Sequence, residues 1–256
     1  MTIKDSQQLE TLKKSGQILA ETLSLVASKV EPGISTYELD QLAEKNIKGS
    51  GANPSFKNYK SSPEDTPFPA ALCVSVNDEI VHGIPKKTKI LREGDIVSLD
   101  LGVEYRGFYT DAAITVPVGK VDKKLLNLIE VTKLSLENAL KVVKAGNFVG
   151  NVGHAIESTA KYYGFQVVRE LVGHGVGASV HEDPEVPCFG IPGTGPELKE
   201  GMVLAIEPMV NMGKARIIFD RDGWTVKTAD GMPSAHFEHT IIVTKKGCEI
   251  ITALQN

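Results

Sequence analysis

Cysteine is scarce and unpaired: Cys73, Cys188 and Cys248 stand far apart, odd in number and without a CxxC. That argues against a disulfide framework and a zinc knuckle, and makes a reducing cytoplasm the simplest expected location. Basic residues do not dominate, with 28 Lys and Arg against 32 Asp and Glu and a formal net charge of −4. No electrostatic footprint for nucleic acid follows. The short clusters Lys86-Lys87-Thr88-Lys89 and Lys245-Lys246 read as solvated loops. No apolar run approaches the roughly 20 residues needed to cross a bilayer. The start, MTIKDSQQLE, lacks the apolar core of a signal peptide, so no membrane partner is expected. The single Asn-x-Ser, at Asn53, carries Pro54 in its centre and is no glycosylation acceptor. HExxH, GxSxG and a P-loop are all missing, which removes the commonest metalloprotease, serine-hydrolase and nucleotide readings.

Present instead are five polar residues in contexts that packing does not explain. They are Asp100 in SLDLG, Asp111 in YTDAA, His174 in GHGVG, Glu207 in AIEPM and Glu238 in HFEHT. Each lies in an apolar or glycine-rich segment, where an isolated charge carries a large desolvation cost. Four acids and one imidazole at a single point would hold about four negative charges, and two divalent ions would neutralise them.

The chain also repeats itself. Leu91-Arg-Glu-Gly-Asp-Ile-Val-Ser-Leu-Asp100 aligns without gaps on Leu198-Lys-Glu-Gly-Met-Val-Leu-Ala-Ile-Glu207, and both copies end on an acid. Leu23, Gly33, Glu44, Lys48 and Gly51 match Leu136, Gly146, Glu157, Lys161 and Gly164 at constant offset. Matches this short also arise by chance, but a duplication predicts two similar halves. It would place Asp100 and Glu207 equivalently, each ending an apolar strand. With 41% apolar residues, the 256-residue chain reads as one domain, 1–256, with pseudo-repeats over roughly 8–120 and 121–256. Helical spacing predicts helices over 8–30, from Ser35 to about Gly49, over 122–144 and over 149–163; Ser35-Thr-Tyr-Glu38 is a capping-box pattern. Strands are expected over 72–76, 95–101, 111–117, 165–171, 202–207, 215–219, 224–228 and 237–243, and a loop over 61–69. The fold class is therefore α+β, with helices on one largely antiparallel sheet.

Asp100 and Asp111 flank the turn Glu104-Tyr-Arg-Gly107. A hairpin centred between Tyr105 and Arg106 would set the two carboxylates directly opposite, on one face. The glycines around His174 permit close backbone approach to a ligand, and a neutral imidazole is a good metal ligand. His181 lies seven residues on, near enough to share the cavity. Taken singly, either histidine would more often be structural.

The ordered set His82-Gly-Ile-Pro, Asp100, Asp111, Gly-His174-Gly-x-Gly, His181-Glu, Glu207-Pro and Glu238-His-Thr resembles the methionine aminopeptidases, of pita-bread fold, over essentially the whole chain. The short interval between Glu207 and Glu238 resembles the type I enzymes, in their bacterial form. The resemblance implies two pseudo-symmetric halves with a curved sheet and a cytoplasmic metallo-exopeptidase. It would remove the N-terminal methionine of nascent polypeptides with a small second residue. It implies two divalent ions, Mn, Fe, Co or Zn, held by Asp100, by Asp111 and Glu238 as bridges, and by His174 with Glu207. A hydroxide between the ions would be the nucleophile, and Glu207 would shuttle its proton. His181 would hydrogen-bond the scissile carbonyl and His82 the next peptide nitrogen. Phe68, Cys73 and Trp224 match the methionine pocket, although Cys73 and Trp224 suit an ordinary core equally well. Asn77 and Ser234 match a monovalent-cation site. A monomer is implied, with the ribosome as a possible further partner.

Three positions depart from the pattern. Val180 stands where many relatives carry an aromatic pocket residue, His236 replaces a frequent glutamine beside Glu238, and the 55–69 loop is longer than usual. His154 and His239 read as structural. Two rivals stand beside this reading. An Xaa-Pro aminopeptidase or prolidase would share the fold and ligands but usually carries a further N-terminal domain. A non-catalytic pita-bread binding protein would lose ligands that are all present here.

Overall fold

The computed structural model describes residues 1–60 and 62–254. Residue 61, the first of the expected loop over 61–69, lies outside them. Helices α1 (Ser6–Ala27) and α2 (Thr36–Gly49) precede strands β1 (Asn53–Pro54), β2 (Leu72–Val76), β3 (Glu79–Val81), β4 (Ile96–Tyr105) and β5 (Phe108–Pro117). Helices α3 (Lys123–Val142) and α4 (Val149–Tyr162) open a second series: β6 (Gln166–Val167), β7 (Val172–Gly175), β8 (Glu182–Pro187), β9 (Val203–Ile206) and β10 (Met209–Asn211). Short strands β11 (Ile217–Phe219), β12 (Val226–Thr228), β13 (Ser234–His236), β14 (His239–Val243) and β15 (Cys248–Ile250) follow.

Local chemistry sets the helix starts. Asp5 caps α1 by accepting from the Gln8 N–H, and Asp122 caps α3 from the Lys124 N–H. At α2 the expected capping box forms: the Glu38 N–H donates to Ser35 Oγ at 3.2 Å, and the Ser35 N–H donates to Glu38 Oε2 at 2.9 Å. Each helix pair then buries an apolar stripe on its own strands. Leu19, Leu23, Leu39 and Ile47 pack with Leu72, Val74, Leu99 and Leu101, while Leu128, Leu136, Val152 and Ile156 pack with Leu204, Ile206 and Ile241.

The two halves are pseudo-symmetric at the level of single hydrogen bonds. The Gly33 N–H donates to Leu91 O and the Gly146 N–H to Leu198 O, both at 2.9 Å. Leu91 returns a bond to Ile34 O, as Leu198 does to Asn147 O. Glu44 pairs with Lys48 as Glu157 pairs with Lys161. The matched residues are thus those that dock each helix pair onto its sheet.

All strand pairs are antiparallel. The first half carries β1-β4-β2 with β5 on β4; the second carries β15-β14-β9-β7-β8. These ladders meet at a three-step seam. Ala113 and Glu238 exchange both backbone hydrogen bonds, at 3.4 and 2.8 Å. On one side the Thr115 hydroxyl bonds the backbone N–H and C=O of His236, each at 2.8 Å. On the other the Thr240 hydroxyl bonds the N–H and C=O of Asp111, at 2.8 and 2.7 Å.

Some expected strands break. The stretch 165–171 holds only the two residues of β6, with β7 starting at Val172, and of 237–243 only His239–Val243 is strand (β14), Phe237-Glu238 separating it from β13. Asp100 sits in the middle of β4, whereas Glu207 follows the last residue of β9, so the two acids do not both end strands. Among the described residues no helix is long and apolar enough to cross a membrane.

Candidate metal centre

Strand register decides which side chains converge. Tyr105 pairs with Phe108, so the β4–β5 loop is the two residues Arg106 and Gly107, with φ of 51° and 82°. Two left-handed residues match the twist of the flanking strands. The hairpin axis therefore lies between Arg106 and Gly107, not between Tyr105 and Arg106 as expected. Asp100 opposes Ala113, and Asp111 opposes Gly102. The two aspartates are diagonal neighbours instead of an opposed pair, but an offset of two keeps them on one face.

The seam extends that face. Glu238 pairs with Ala113 on the side away from Asp100, so the buried Ala113 methyl stands between the two acids. His239 pairs with Ile206, which brings Glu207 beside Glu238, and His174 pairs with Ala205, two residues before Glu207. Alternation along each strand then directs all five side chains to one point. His174 Nε2 lies 3.5 Å from Glu207 Oε1 and 4.0 Å from Asp111 Oδ2. One ligand atom each of Asp111, His174 and Glu238 lie within 4.8 Å of one another.

Burial without a cation moves every one of these groups toward neutrality. Asp100, Asp111, His174 and Glu238 are all buried, with exposures of 7% or less. Burial, with Glu207 nearby, raises the Asp100 carboxyl to about 6, and burial raises Glu207 to about 8. Asp111 and Glu238 are pushed well above the carboxylate range by burial and by the other acids. Burial drops His174 to about 3, so its ring is neutral. Its Nδ1 is 2.8 Å from Gly175 O, a bond that needs the proton on Nδ1 and leaves the Nε2 lone pair facing the acids. Asp100 Oδ1, Asp111 Oδ1 and Glu238 Oε1 are buried without a hydrogen-bond partner. Orphaned carboxylate oxygens and a bare imidazole nitrogen fit a first-row divalent ion.

These ligands share a cavity of about 380 Å³, also lined by Phe56, Tyr59, Phe68, Cys73, Val81 and Trp224. Phe68 meets Trp224 edge-on at 5.3 Å, and Trp224 Nε1 donates to Thr66 O at 2.9 Å. His82, at φ 57°, lies 6.1 Å from the Trp224 ring, and burial lowers it to about 4. His181 stacks edge-on against His174 at 4.3 Å, with its Nδ1 2.6 Å from Tyr59 Oη. The expected His82, His181, Phe68, Cys73 and Trp224 thus all line the cavity.

Val180 is not among the residues lining the cavity, but it belongs to the same buried apolar cluster as Phe56, Phe68 and Cys73, which are. Asn77 and Ser234 are adjacent, the Ser234 N–H donating to Asn77 O at 2.9 Å. Their side chains are engaged with protein groups: Asn77 with Asp95 and Ile96, Ser234 with Val210 and Asn211. His236 reaches the centre itself, its Nε2 3.4 Å from Glu207 Oε2. His239 bonds Thr252 away from the acids, and His154 is exposed on α4. Sequence reasoning missed Phe56, Tyr59, Val81, Leu171 and Met209 in the lining. Of these Val81 adjoins His82, Leu171 lies two residues before Gly173 and Met209 two residues past Glu207, whereas Phe56 and Tyr59 had no motif beside them.

A buried cluster of four acids and one histidine, at the junction of two related halves and open to an apolar pocket, defines a metallohydrolase site. The model of metallopeptidase family M24 matches residues 10–245. The methionine aminopeptidase of Aquifex aeolicus is 47% identical over 250 residues, covering 97% of both chains. The crystal structure of methionine aminopeptidase from Thermotoga maritima superposes with a TM-score of 0.94 at 45% identity, covering 99% of this chain and 100% of that one. The chain belongs to metallopeptidase family M24 and, within it, to the methionine aminopeptidases, of pita-bread fold. Prolidase from Pyrococcus furiosus shares the fold at TM-score 0.79 but is 22% identical, and this chain covers 66% of it.

Proposed function

We infer that the chain hydrolyses the first peptide bond of polypeptides that begin with methionine, as a divalent-metal-dependent exopeptidase. The observation that carries this is the convergence of Asp100, Asp111, His174, Glu207 and Glu238 on one side of a cavity with an aromatic and thiol wall. The full-length likeness to methionine aminopeptidases supports it, whereas the likeness to prolidases is one of fold. The substrates are nascent N-termini with a small second residue, met in the cytoplasm. The chain acts as one catalytic domain built of the two related halves.

Asp100, Asp111, His174, Glu207 and Glu238 would together hold two divalent ions. Divalent ions there would compensate the buried charge, polarise the scissile carbonyl and make a water more acidic. Phe68 and Trp224 hold the thioether side chain, since an apolar aromatic wall suits its polarisable sulfur. His181 donates Nε2–H to the scissile carbonyl oxygen, and His82 hydrogen-bonds the following peptide nitrogen. Glu207 takes the proton of the attacking water on a carboxylate oxygen and passes it to the leaving amine.

A peptide panel tests the assignment. Met-Ala-Ser should lose methionine once, with large second residues resisted and Ala-Pro peptides left intact. Dominant cleavage before proline, or of internal bonds, would replace this reading with that of a proline-directed or endoproteolytic relative.

A further inference from the structure

His181 follows an irregular stretch, 177–180, so its backbone alone does not fix its ring. What holds the ring is side-chain contact. Among the described residues the ring's hydrogen bond is to Tyr59 Oη, 2.6 Å from Nδ1, with ring centroids 5.1 Å apart. Tyr59 is itself pinned. Its N–H donates to Phe56 O at 2.9 Å, and its carbonyl accepts from the Phe68 N–H at 2.9 Å. The Asn58 N–H donates to Phe68 O at 2.8 Å, so Asn58 and Tyr59 are both paired with Phe68. The same pairing that places Phe68 against Trp224 therefore places the Tyr59 hydroxyl on His181.

We propose that Tyr59 is a positioning residue: its hydroxyl donates to His181 Nδ1 and fixes the tautomer that carries hydrogen on Nε2. A neutral imidazole has one N–H, and the partner of one nitrogen decides which nitrogen bears it. The phenol is the stronger donor of the pair and Nδ1 the stronger acceptor. With Nδ1 occupied, Nε2–H is the group left to meet a carbonyl oxygen. Without the hydroxyl the ring exchanges tautomers and turns, and part of the population presents a bare nitrogen to the substrate.

The inference rests on His181 being the carbonyl donor, and the test separates the two. Tyr59→Phe, His181→Ala and the double variant are assayed on Met-Ala-Ser, with metal content measured on the same preparations. Tyr59→Phe should lose about 3- to 10-fold in kcat, the worth of one hydrogen bond. Its KM should stay within about twofold and its metal content unchanged. In the His181→Ala background it should cost nothing more. Fold-independent support comes from imidazole ¹⁵N shifts of zinc-loaded protein. His181 should show an unprotonated Nδ1 in the parent and averaged tautomers in Tyr59→Phe. A deleterious His181→Ala with a silent or fully additive Tyr59→Phe, or an unchanged ¹⁵N pattern, would overturn the role of Tyr59 alone. A His181→Ala variant with full kcat would overturn the carbonyl-donor reading and this proposal with it.

Discussion

Ala113 and Glu238 exchange two backbone hydrogen bonds across the seam between the halves, and Asp100 opposes Ala113 on its other side. The row Asp100–Ala113–Glu238 thus crosses three strands with a methyl group between two carboxylates. Thr115 and Thr240 flank it with matching side-chain clamps on His236 and Asp111. The candidate metal centre therefore lies where the two halves are stitched together. Neither half supplies the whole cluster, since Asp100 and Asp111 come from the first and His174, Glu207 and Glu238 from the second.

The space over Ala113 is predicted to be indispensable. Ala113→Val adds two methyl groups where the carboxylates converge, and overpacking of this kind typically costs about 1–3 kcal/mol. Metal affinity should fall by at least about tenfold while the folded spectrum persists. Isothermal titration with Mn²⁺ on the folded variant checks it; unchanged affinity would show that the methyl does not face the ligands.

His236 is predicted to orient Glu207. Its ring is 1% exposed, and both nitrogens lack a hydrogen-bond partner, yet Nε2 is 3.4 Å from Glu207 Oε2. His236→Gln restores an N–H donor of similar reach and should keep kcat within about threefold. His236→Ala leaves the carboxylate unsupported and should cost about tenfold, within the range of a hydrogen bond to a charged group. Equal kcat in the two variants would remove this role.

Metal-free protein should lose stability as pH rises. Folded Asp100 and Glu207 titrate near 6 and 8 instead of 3.8 and 4.5, because burial disfavours their anions. Below about pH 3 these acids are largely neutral in both states and contribute nothing. Up to about pH 6.5 their effect is offset by His82, His174 and His239, which burial lowers to about 4, 3 and 4. Between about pH 6.5 and 8 the folded state holds more protons than the unfolded, so each rise in pH favours unfolding. Tm of the metal-free form should therefore fall across that window, and added Mn²⁺ should reverse the trend by replacing protons with a cation. A metal-free Tm that climbs from pH 6.5 to 8 would contradict the burial argument.

Ligands and substrate contacts should separate by mutation. Glu207→Gln removes a proton acceptor and an anionic ligand together, and proton shuttling is worth about 10²–10⁴-fold. It should lose kcat heavily and bind less metal. His181→Ala and His82→Ala each remove a neutral partner of the substrate and should keep the metal. His181→Ala should lose about 10²–10³-fold in kcat, as for a single carbonyl-stabilising donor. Metal analysis and kcat on the same preparations decide it; a metal site emptied by either histidine variant would revise the division.

The convergence of the five residues was legible because a carboxylate in an apolar strand signals its own exception, as in SLDLG and AIEPM. Helices were legible from caps and periodicity; Ser35 and Glu38 mark the start of α2 in the sequence and form its box in the fold. The hairpin register was not, because Glu104-Tyr-Arg-Gly107 permits several turns, and only the left-handed Arg106 selects the two-residue loop. The seam was invisible: Thr115 carries no motif, Thr240 was read only as the end of Glu238-His-Thr, and their partners lie 121 and 129 residues away.

The central claim is that these five residues hold the divalent ions that support methionine removal. Metal-free protein titrated with Mn²⁺ or Co²⁺, with bound metal and release of methionine from Met-Ala-Ser followed on the same samples, tests it most directly. Activity should be absent without metal, appear as the sites fill, and reach a plateau at two ions per chain. Methionine release from protein verified to contain no metal would contradict the account.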